Sequence, residues 1–204
     1  MPTVETHALV LRSIRYSEAD AVLSLYTRER GRVSAMAKGA RRTTSRLGGR
    51  LQPGVLVQAT LHEGRGDMFT VRGASVVDAH AGLWVQGFRL QAAGCVLEAA
   101  MRVMPEAEAN EEGWHLLCRA LDLLASAAPA PGPARLHPVV LGTQAKLVVV
   151  SGLLPVLGAC ARCGAGGPLA AFSAAAGGVL CADCVRLGGG EPVDPAVLAA
   201  LTAL

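Results

Sequence analysis

Four cysteines in two closely spaced pairs are the strongest chemical signal in this sequence. Cys160 and Cys163 form one C-x2-C pair, and Cys181 and Cys184 form a second pair after a 17-residue connector. Two such pairs can place four thiolates around one tetrahedral cation, and Zn²⁺ is the usual ion in this arrangement. The alternatives are two disulfides or four unrelated buried cysteines, and the spacing favours zinc over both.

The predicted zinc is structural, with one ion per chain. Four thiolates complete the coordination shell and leave no position for water or substrate. The connector, residues 164–180, is rich in Gly and Ala and suits a short ribbon with tight turns. The five histidines are scattered without ligand spacing, so we interpret each as structural or solvent-facing. The cysteines therefore predict a metal-stabilised module and, by themselves, no activity.

A run of positive charge is the second candidate site. Residues 1–80 contain 12 Lys and Arg against 7 Asp and Glu, a net charge of +5, whereas residues 81–204 have a net charge of −2. Phosphate backbones are attracted to such a positive region, although a solvated charged loop is the simpler alternative. The predicted DNA-binding residues are the eight cations Arg28, Arg30, Arg32, Lys38, Arg41, Arg42, Arg46 and Arg50, with Glu29 as the only acid among them.

The scarcity of aromatic residues limits how these cations can bind nucleic acid. Only Tyr16, Tyr26 and Phe69 lie in the first eighty residues. Because base stacking requires exposed rings, we expect binding to depend mainly on phosphate neutralisation and counterion release. This predicts sequence-tolerant, salt-sensitive binding to both single and double strands.

Five short strands are predicted to position these cations. Apolar residues recur at every second position within residues 32–38 and 55–62, with mostly polar residues between them, and Pro53-Gly54 signals a turn before the second of these runs. The other strands are predicted at residues 4–14, 21–27 and 68–77. Five strands in about eighty residues suit a small closed barrel, with the basic residues 38–50 in the connection between the third and fourth strands.

The pattern becomes helical from about Ala81. Helices are predicted up to Pro105, at residues 113–127 and from Pro138 to about Ser151. After the cysteine module, Asp194-Pro195 is a good start for a last helix. The predicted domains are therefore 1–80, 81–155, 156–187 for the zinc module, and 188–204 for a helix that packs back on the helical domain.

Motifs of enzymes and of exported proteins are missing. The sequence has no phosphate-binding loop, no GxSxG elbow and no HExxH helix, and no clustered acids that would suit a nuclease, so we expect no enzymatic activity. Glu5 and His7 interrupt the start of the chain, which argues against a signal peptide. Cys95 and Cys118 are interpreted as buried thiols. Reduced thiols with a zinc site predict a cytoplasmic protein.

Taken together, these segments resemble the RecO family of bacterial DNA repair and recombination mediators. The resemblance lies in residues 8–42, in Gln52-Pro53-Gly54, in the Ala- and Leu-rich helical part and in the paired cysteines; Glu18-Ala19-Asp20 and residues 27–31 are its most distinctive segments. It implies the fold class α+β, with an N-terminal five-stranded OB-fold barrel followed by an all-helical domain with an inserted four-cysteine zinc module.

The resemblance also implies a function. Members of this family anneal complementary single strands of DNA and help RecA replace single-strand-binding protein, together with RecR. DNA, RecR and single-strand-binding protein are thus expected partners, RecA is an indirect one, and no membrane is involved. The alternative is a zinc-ribbon accessory or interaction module of another nucleic-acid-processing machine.

Overall fold

The protein forms two compact units, Met1–Ser151 and Gly152–Leu204. A computed structural model describes residues 2–45, 47–64, 66, 68–129 and 131–202. The finer division into four domains, including the packing of the last helix on the helical domain, stays a prediction.

Within the described residues, the first unit begins with a closed five-stranded, OB-like barrel. The strand order is β1-β2-β3-β5-β4. Strand β1 pairs antiparallel with both β2 and β4, and a short parallel pairing of β3 with β5 closes the barrel. The predicted barrel is confirmed. Its strands are β1 (Thr3–Arg15), β2 (Ala21–Thr27), β3 (Gly31–Ala37), β4 (Leu56–Glu63) and β5 (Met68–Asp78).

Small apolar side chains fill the barrel. Val33, Ala35 and Ala37 of β3 are buried, and so are Val57, Ala59 and Leu61, every second residue of β4. This is the alternation expected of strands with one face toward a core. The fully buried residues of this interior are Ala, Val and Leu, and Phe69 is partly buried against them.

Three helices follow the barrel in the described part of the first unit: α1 (Gly87–Val103), α2 (Glu111–Ser126) and α3 (Pro138–Val150). The expected helix start at Ala81 is wrong, because residues 81–83 form only a 3-10 turn and α1 begins at Gly87. A close contact explains the turn: a Cβ on Gly82 would lie 2.1 Å from the carbonyl oxygen of Ala125. The backbone of the turn therefore packs directly against the end of α2.

The helices pack on the outside of the barrel. Leu9, Leu11 and Tyr26 from β1 and β2 belong to the same buried cluster as Leu117 and Leu121 of α2. The ring of Tyr26 stacks on Trp114, with 6.5 Å between centroids. Asn110 caps α2 by accepting a hydrogen bond from the backbone of Gly113, and its side-chain amide donates to Val150 at the end of α3. One buried residue set thus joins barrel and helices.

The second unit is a small sheet with two short helices. Its elements are β6 (Leu169–Ser173), β7 (Gly178–Cys181), α4 (Ala182–Arg186), β8 (Glu191–Pro192) and α5 (Pro195–Thr202). The sheet order is β7-β6-β8. The predicted ribbon between the cysteine pairs is β6 and β7, and Asp194 caps α5 as expected, with its carboxylate accepting from the backbone of Ala196. Strand β8 was not predicted, because two residues show no alternation.

Candidate metal centre and nucleic-acid interface

The four predicted metal ligands come together in the second unit. The sulfur atoms of Cys160, Cys163, Cys181 and Cys184 all lie within 4.8 Å of one another. Three of these residues are buried and Cys163 is exposed. The first pair lies in a turn before the sheet, and the second pair spans the end of β7 and the start of α4. The cluster can therefore hold a metal ion.

The spacing of the sulfur atoms fits a tetrahedral ion. Cys163 Sγ lies 3.8 Å from Cys181 Sγ. Two sulfur ligands about 2.3 Å from one tetrahedral Zn²⁺ lie about 3.8 Å apart, whereas a disulfide bond is about 2.05 Å long. The thiols of all six cysteines are free. The structure therefore does not contain the two disulfide bonds that were the alternative to a metal site.

Backbone groups near the cluster favour a thiolate. Hydrogen bonds from backbone N–H groups, that of Cys181 first, lower the pKa of Cys160 to about 6. Burial, followed by the neighbouring sulfurs, raises the pKa of Cys184 to about 12. A cation among the four sulfur atoms would offset the repulsion between thiolates, which is how a bound metal stabilises a small module.

Arg162 connects two backbone segments beside the cluster. Its guanidinium donates to the carbonyl oxygens of Cys184 at 2.8 Å and of Gly188 at 2.9 Å. Leu180 is fully buried against the cysteines. Arg162, next to the first cysteine pair, thus links that pair to the backbone at Cys184 and Gly188.

The structure divides the eight predicted DNA-binding cations into two groups. Arg28, Arg30 and Arg32 lie at the β2–β3 turn and the start of β3, whereas Lys38, Arg41, Arg42 and Arg50 follow the end of β3. Strand β3 has seven residues, so the groups are separated by about 20 Å along the strand. Arg46 lies outside the described residues. The expected single positive patch is therefore two patches at opposite ends of the barrel.

Carboxylates neutralise the first group. Arg28 pairs with Glu111 at 3.1 Å, Arg30 with Glu63 at 2.9 Å, and Arg32 with Glu106 at 2.8 Å; Arg32 also donates to the carbonyl oxygen of Met104. The hydrogen bond from Arg28 holds the pKa of Glu111 below its ordinary value. These partners lie far away in the sequence, so the count of charge along the chain, with Glu29 as the only acid among the cations, did not reveal them.

The second group lies on the connection between β3 and β4, residues 38–55, which we call the basic loop. Lys38, Arg41, Arg42 and Arg50 are exposed. Among the described residues, no carboxylate forms an ion pair with any of them. Arg50 donates to the carbonyl oxygen of Ala74 on β5, which fixes one end of the loop against the barrel. This group is free to meet anions from solvent.

Two further residues belong to this end of the barrel and were not predicted. Arg15, at the end of β1, lines with Arg41 a groove of about 410 Å³ between the β1–β2 turn and the basic loop. Tyr16, the next residue, is 68% exposed. Both precede the β1–β2 turn in the sequence, but only the closed barrel brings that turn beside the basic loop. Here positive charge and an exposed ring share one surface.

None of the helices in the described part of the chain combines the length and the apolar composition that a bilayer span requires.

Comparisons with known proteins agree over nearly the whole chain. The family model "Recombination protein O N terminal" matches residues 1–80, and "Recombination protein O C terminal" matches residues 86–204. DNA repair protein RecO of Anaeromyxobacter sp. (strain K) is 40% identical over 188 residues, covering 90% of this chain and 71% of that protein. The RecO protein of Rubrobacter xylanophilus is 38% identical, with 90% and 72% covered, and that of Nocardioides sp. is 37% identical, with 97% and 80% covered.

Proposed function

Because the chain belongs to the RecO family of DNA repair proteins, we propose that it binds DNA through the basic loop and anneals complementary single strands. The observation that carries this proposal is a group of exposed cations at one end of the barrel that have no carboxylate partner among the described residues: Lys38, Arg41, Arg42 and Arg50. Arg28, Arg30 and Arg32, with carboxylate partners at the other end, have a structural role in this account.

The mechanism follows from electrostatics. Two single strands repel each other through their phosphates, and cations that contact both strands release counterions and lower this repulsion. The groove beside Arg15 and Arg41 accepts one backbone, and the outward side chains of Lys38 and Arg42 remain available to a second. Base pairing then selects the complementary strand, so the protein needs no base-specific contact.

Tyr16 adds a preference for single strands. An exposed ring beside a positive surface can stack on an unpaired base, and bases within a duplex offer no free face. With one ring, the gain is limited to about 1–3 kcal/mol for one base. The protein therefore holds single strands loosely enough to release them into a duplex.

The proposed partners are those that membership of the family implies. In this account the protein delivers strands covered by single-strand-binding protein to RecA, acts together with RecR, and works in the cytoplasm where the chromosome is found. It acts by binding and has no nuclease or other catalytic activity of its own. The four cysteines hold one structural Zn²⁺ in the second unit, and this ion supplies folding free energy to that unit.

A strand-annealing assay tests the proposal. Two complementary oligonucleotides carrying a donor and an acceptor dye are mixed with the protein at low and at moderate salt, and energy transfer reports the duplex. We expect annealing to be accelerated at low salt, and less so by the K38Q/R42Q double variant than by wild type. An annealing rate equal to that of the oligonucleotides alone would contradict the proposal, and loss of labelled DNA in the presence of Mg²⁺ would contradict the absence of nuclease activity.

A further inference from the structure

Three potential metal ligands from separate segments meet in the first unit. Asp78 is the last residue of β5, His80 follows it by two positions, and Asp122 lies on α2. One ligand atom from each lies within 4.8 Å of the other two. None of the three belongs to the four-cysteine cluster or to the basic loop, so this is a separate site.

The imidazole of His80 is held in the orientation of a metal ligand. Its side chain is only 3% exposed, and Nδ1 lies 2.7 Å from the carbonyl oxygen of Gly54. A carbonyl oxygen only accepts hydrogen bonds, so Nδ1 carries a proton, and Nε2, on the side of Asp122, is the ring nitrogen available to a metal ion. Histidines that bind metals commonly have the second ring nitrogen fixed in this way by a carbonyl or carboxylate.

The distances leave room for an ion. His80 Nε2 lies 3.5 Å from Asp122 Oδ1, which is longer than an N–H···O hydrogen bond of about 2.7–3.2 Å. Two ligands about 2.1 Å from one tetrahedral ion are about 3.4 Å apart. Asp78 accepts the backbone N–H of His80 at 2.6 Å through Oδ1, which holds this carboxylate next to His80. The site is thus spaced for coordination.

The carboxylates concentrate negative charge in a partly accessible place. Both Asp78 and Asp122 are exposed, so ions and water reach them from solvent. Among the described residues, no Lys or Arg forms an ion pair with either carboxylate. Burial, and then the charges of Asp122 and Asp78, raise the pKa of the nearby Cys118 to about 11. Asp122 instead faces the imidazole of His80 at 3.5 Å, so the two carboxylates and this ring form one group.

We propose that Asp78, His80 and Asp122 bind a divalent first-row metal ion, Mn²⁺ or Zn²⁺, through one imidazole nitrogen and two carboxylates. A mixed nitrogen and oxygen ligand set suits these ions, and three protein ligands leave positions for water. The ion joins the end of β5 to α2, and so fastens the barrel to the helical part of the same unit. None of its three ligands is a cation of the basic loop, and His80 contacts that loop only through the carbonyl oxygen of Gly54 among the hydrogen bonds of the described residues.

The experiment uses the full chain with its four-cysteine site already loaded with one equivalent of Zn²⁺. Binding of Mn²⁺ is followed by the loss of the free-ion signal in electron paramagnetic resonance, and binding of a second Zn²⁺ by competition with a coloured chelator. Asp122→Asn replaces a charged ligand by a weak, neutral one with little change in size, at an exposed helix position. Glu98→Gln on α1 is the matched control, since it also removes one exposed helix carboxylate.

We expect one Mn²⁺ or one additional Zn²⁺ to bind wild type, with at least tenfold weaker binding by D122N and unchanged binding by E98Q. We also expect the ion to raise the Tm of wild type and of E98Q, but not that of D122N. The proposal is overturned if wild type takes up neither ion beyond the four-cysteine site, or if D122N binds the ion as tightly as wild type.

Discussion

The backbone N–H of Arg41 donates a hydrogen bond of 2.9 Å to the carbonyl oxygen of Ala19, and this bond joins the basic loop to the β1–β2 turn. Two further contacts reinforce it: Asp20 accepts from the backbone of Gly39 at 2.7 Å, and the Arg41 guanidinium lies 3.4 Å from the carbonyl oxygen of Ser17. The turn that carries Tyr16 and the loop that carries the free cations therefore form one connected surface.

Replacing Tyr16 is expected to weaken single-strand binding selectively. Tyr16→Ala removes an exposed ring without opening the core, so the loss should be about 1–3 kcal/mol for single strands and close to zero for duplex. Fluorescence anisotropy with a labelled oligonucleotide and its duplex measures both. Tyr16→Phe is the control and should bind like wild type; an equal loss on single and double strands would argue against stacking.

Two glycines with similar backbone angles should respond differently to alanine. Gly31 and Gly39 have φ of +63° and +67°, so either substitution strains the backbone by about 1–2 kcal/mol. At Gly31 a Cβ would also lie 1.8 Å from the carbonyl oxygen of Glu108, whereas at Gly39 its nearest neighbour is the Arg42 side chain at 3.7 Å. Urea unfolding should therefore show G31A losing at least about 3 kcal/mol, and G39A clearly less. Equal losses would mean that the contact with Glu108 is absent in solution.

Tyr26 should make stability depend on pH in the alkaline range. Burial, and then the charge of Glu108, raise its pKa from 10.0 to about 12. The neutral phenol is favoured in the folded state, so its contribution to the free energy of unfolding is complete below pH 10 and is lost as pH rises toward 12. The slope contributed by one such group is at most about 1.4 kcal/mol per pH unit.

Tyr26→Phe tests this dependence, because it keeps the stacked ring and removes the ionisable group. Urea unfolding of both proteins at several pH values should give free energies of unfolding that differ by less than about 1.5 kcal/mol near neutral pH. Between pH 10 and 12 the free energy of unfolding of wild type should fall more steeply than that of Y26F. An equal decrease in both proteins over that range would show that Tyr26 ionises without penalty.

Removing one cysteine ligand should remove the zinc and unfold the second unit. Cys163→Ser alters an exposed ligand, so lost packing alone would have little effect. The zinc held at the four-cysteine site should fall from about one ion per chain to nearly none; metal analysis of D122N and of the D122N/C163S double variant measures this site alone. Hydrogen exchange in β6 and β7 should become fast, and the barrel should stay protected. Cys95→Ala, outside the cluster, should keep the zinc; a C163S protein with zinc and with slow exchange would contradict the assignment.

The sequence predicted best those features that depend on local spacing. The cysteine pairs predicted the cluster because each C-x2-C turn is local and four sulfurs need a common cation. The alternation at Val57, Ala59 and Leu61 predicted β4 because period two is a property of the strand itself. Asp194 before Pro195 predicted the start of α5 for the same reason.

The sequence predicted poorly those features that depend on contacts between distant residues. Arg28 and Glu111 are separated by 83 positions, and Arg30 and Glu63 by 33, so a count of charge along the chain missed both pairs. The separation of the two cation groups could have been predicted from the sequence, because the strand between them must place them at its opposite ends. The grouping of Asp78 and His80 with Asp122 required the packing of α2 against the barrel.

The most direct test of the account is the salt dependence of single-strand DNA binding by two double variants with the same change in net charge. K38Q/R42Q removes two unpaired cations of the basic loop, and R28Q/R30Q removes two exposed cations that have carboxylate partners. Each phosphate contact contributes about 0.7 to the slope of log K against log salt for single strands, so K38Q/R42Q should lower the slope by about 1.4. R28Q/R30Q should leave it nearly unchanged. Equal effects of both variants, or an effect of R28Q/R30Q alone, would contradict DNA binding through the basic loop.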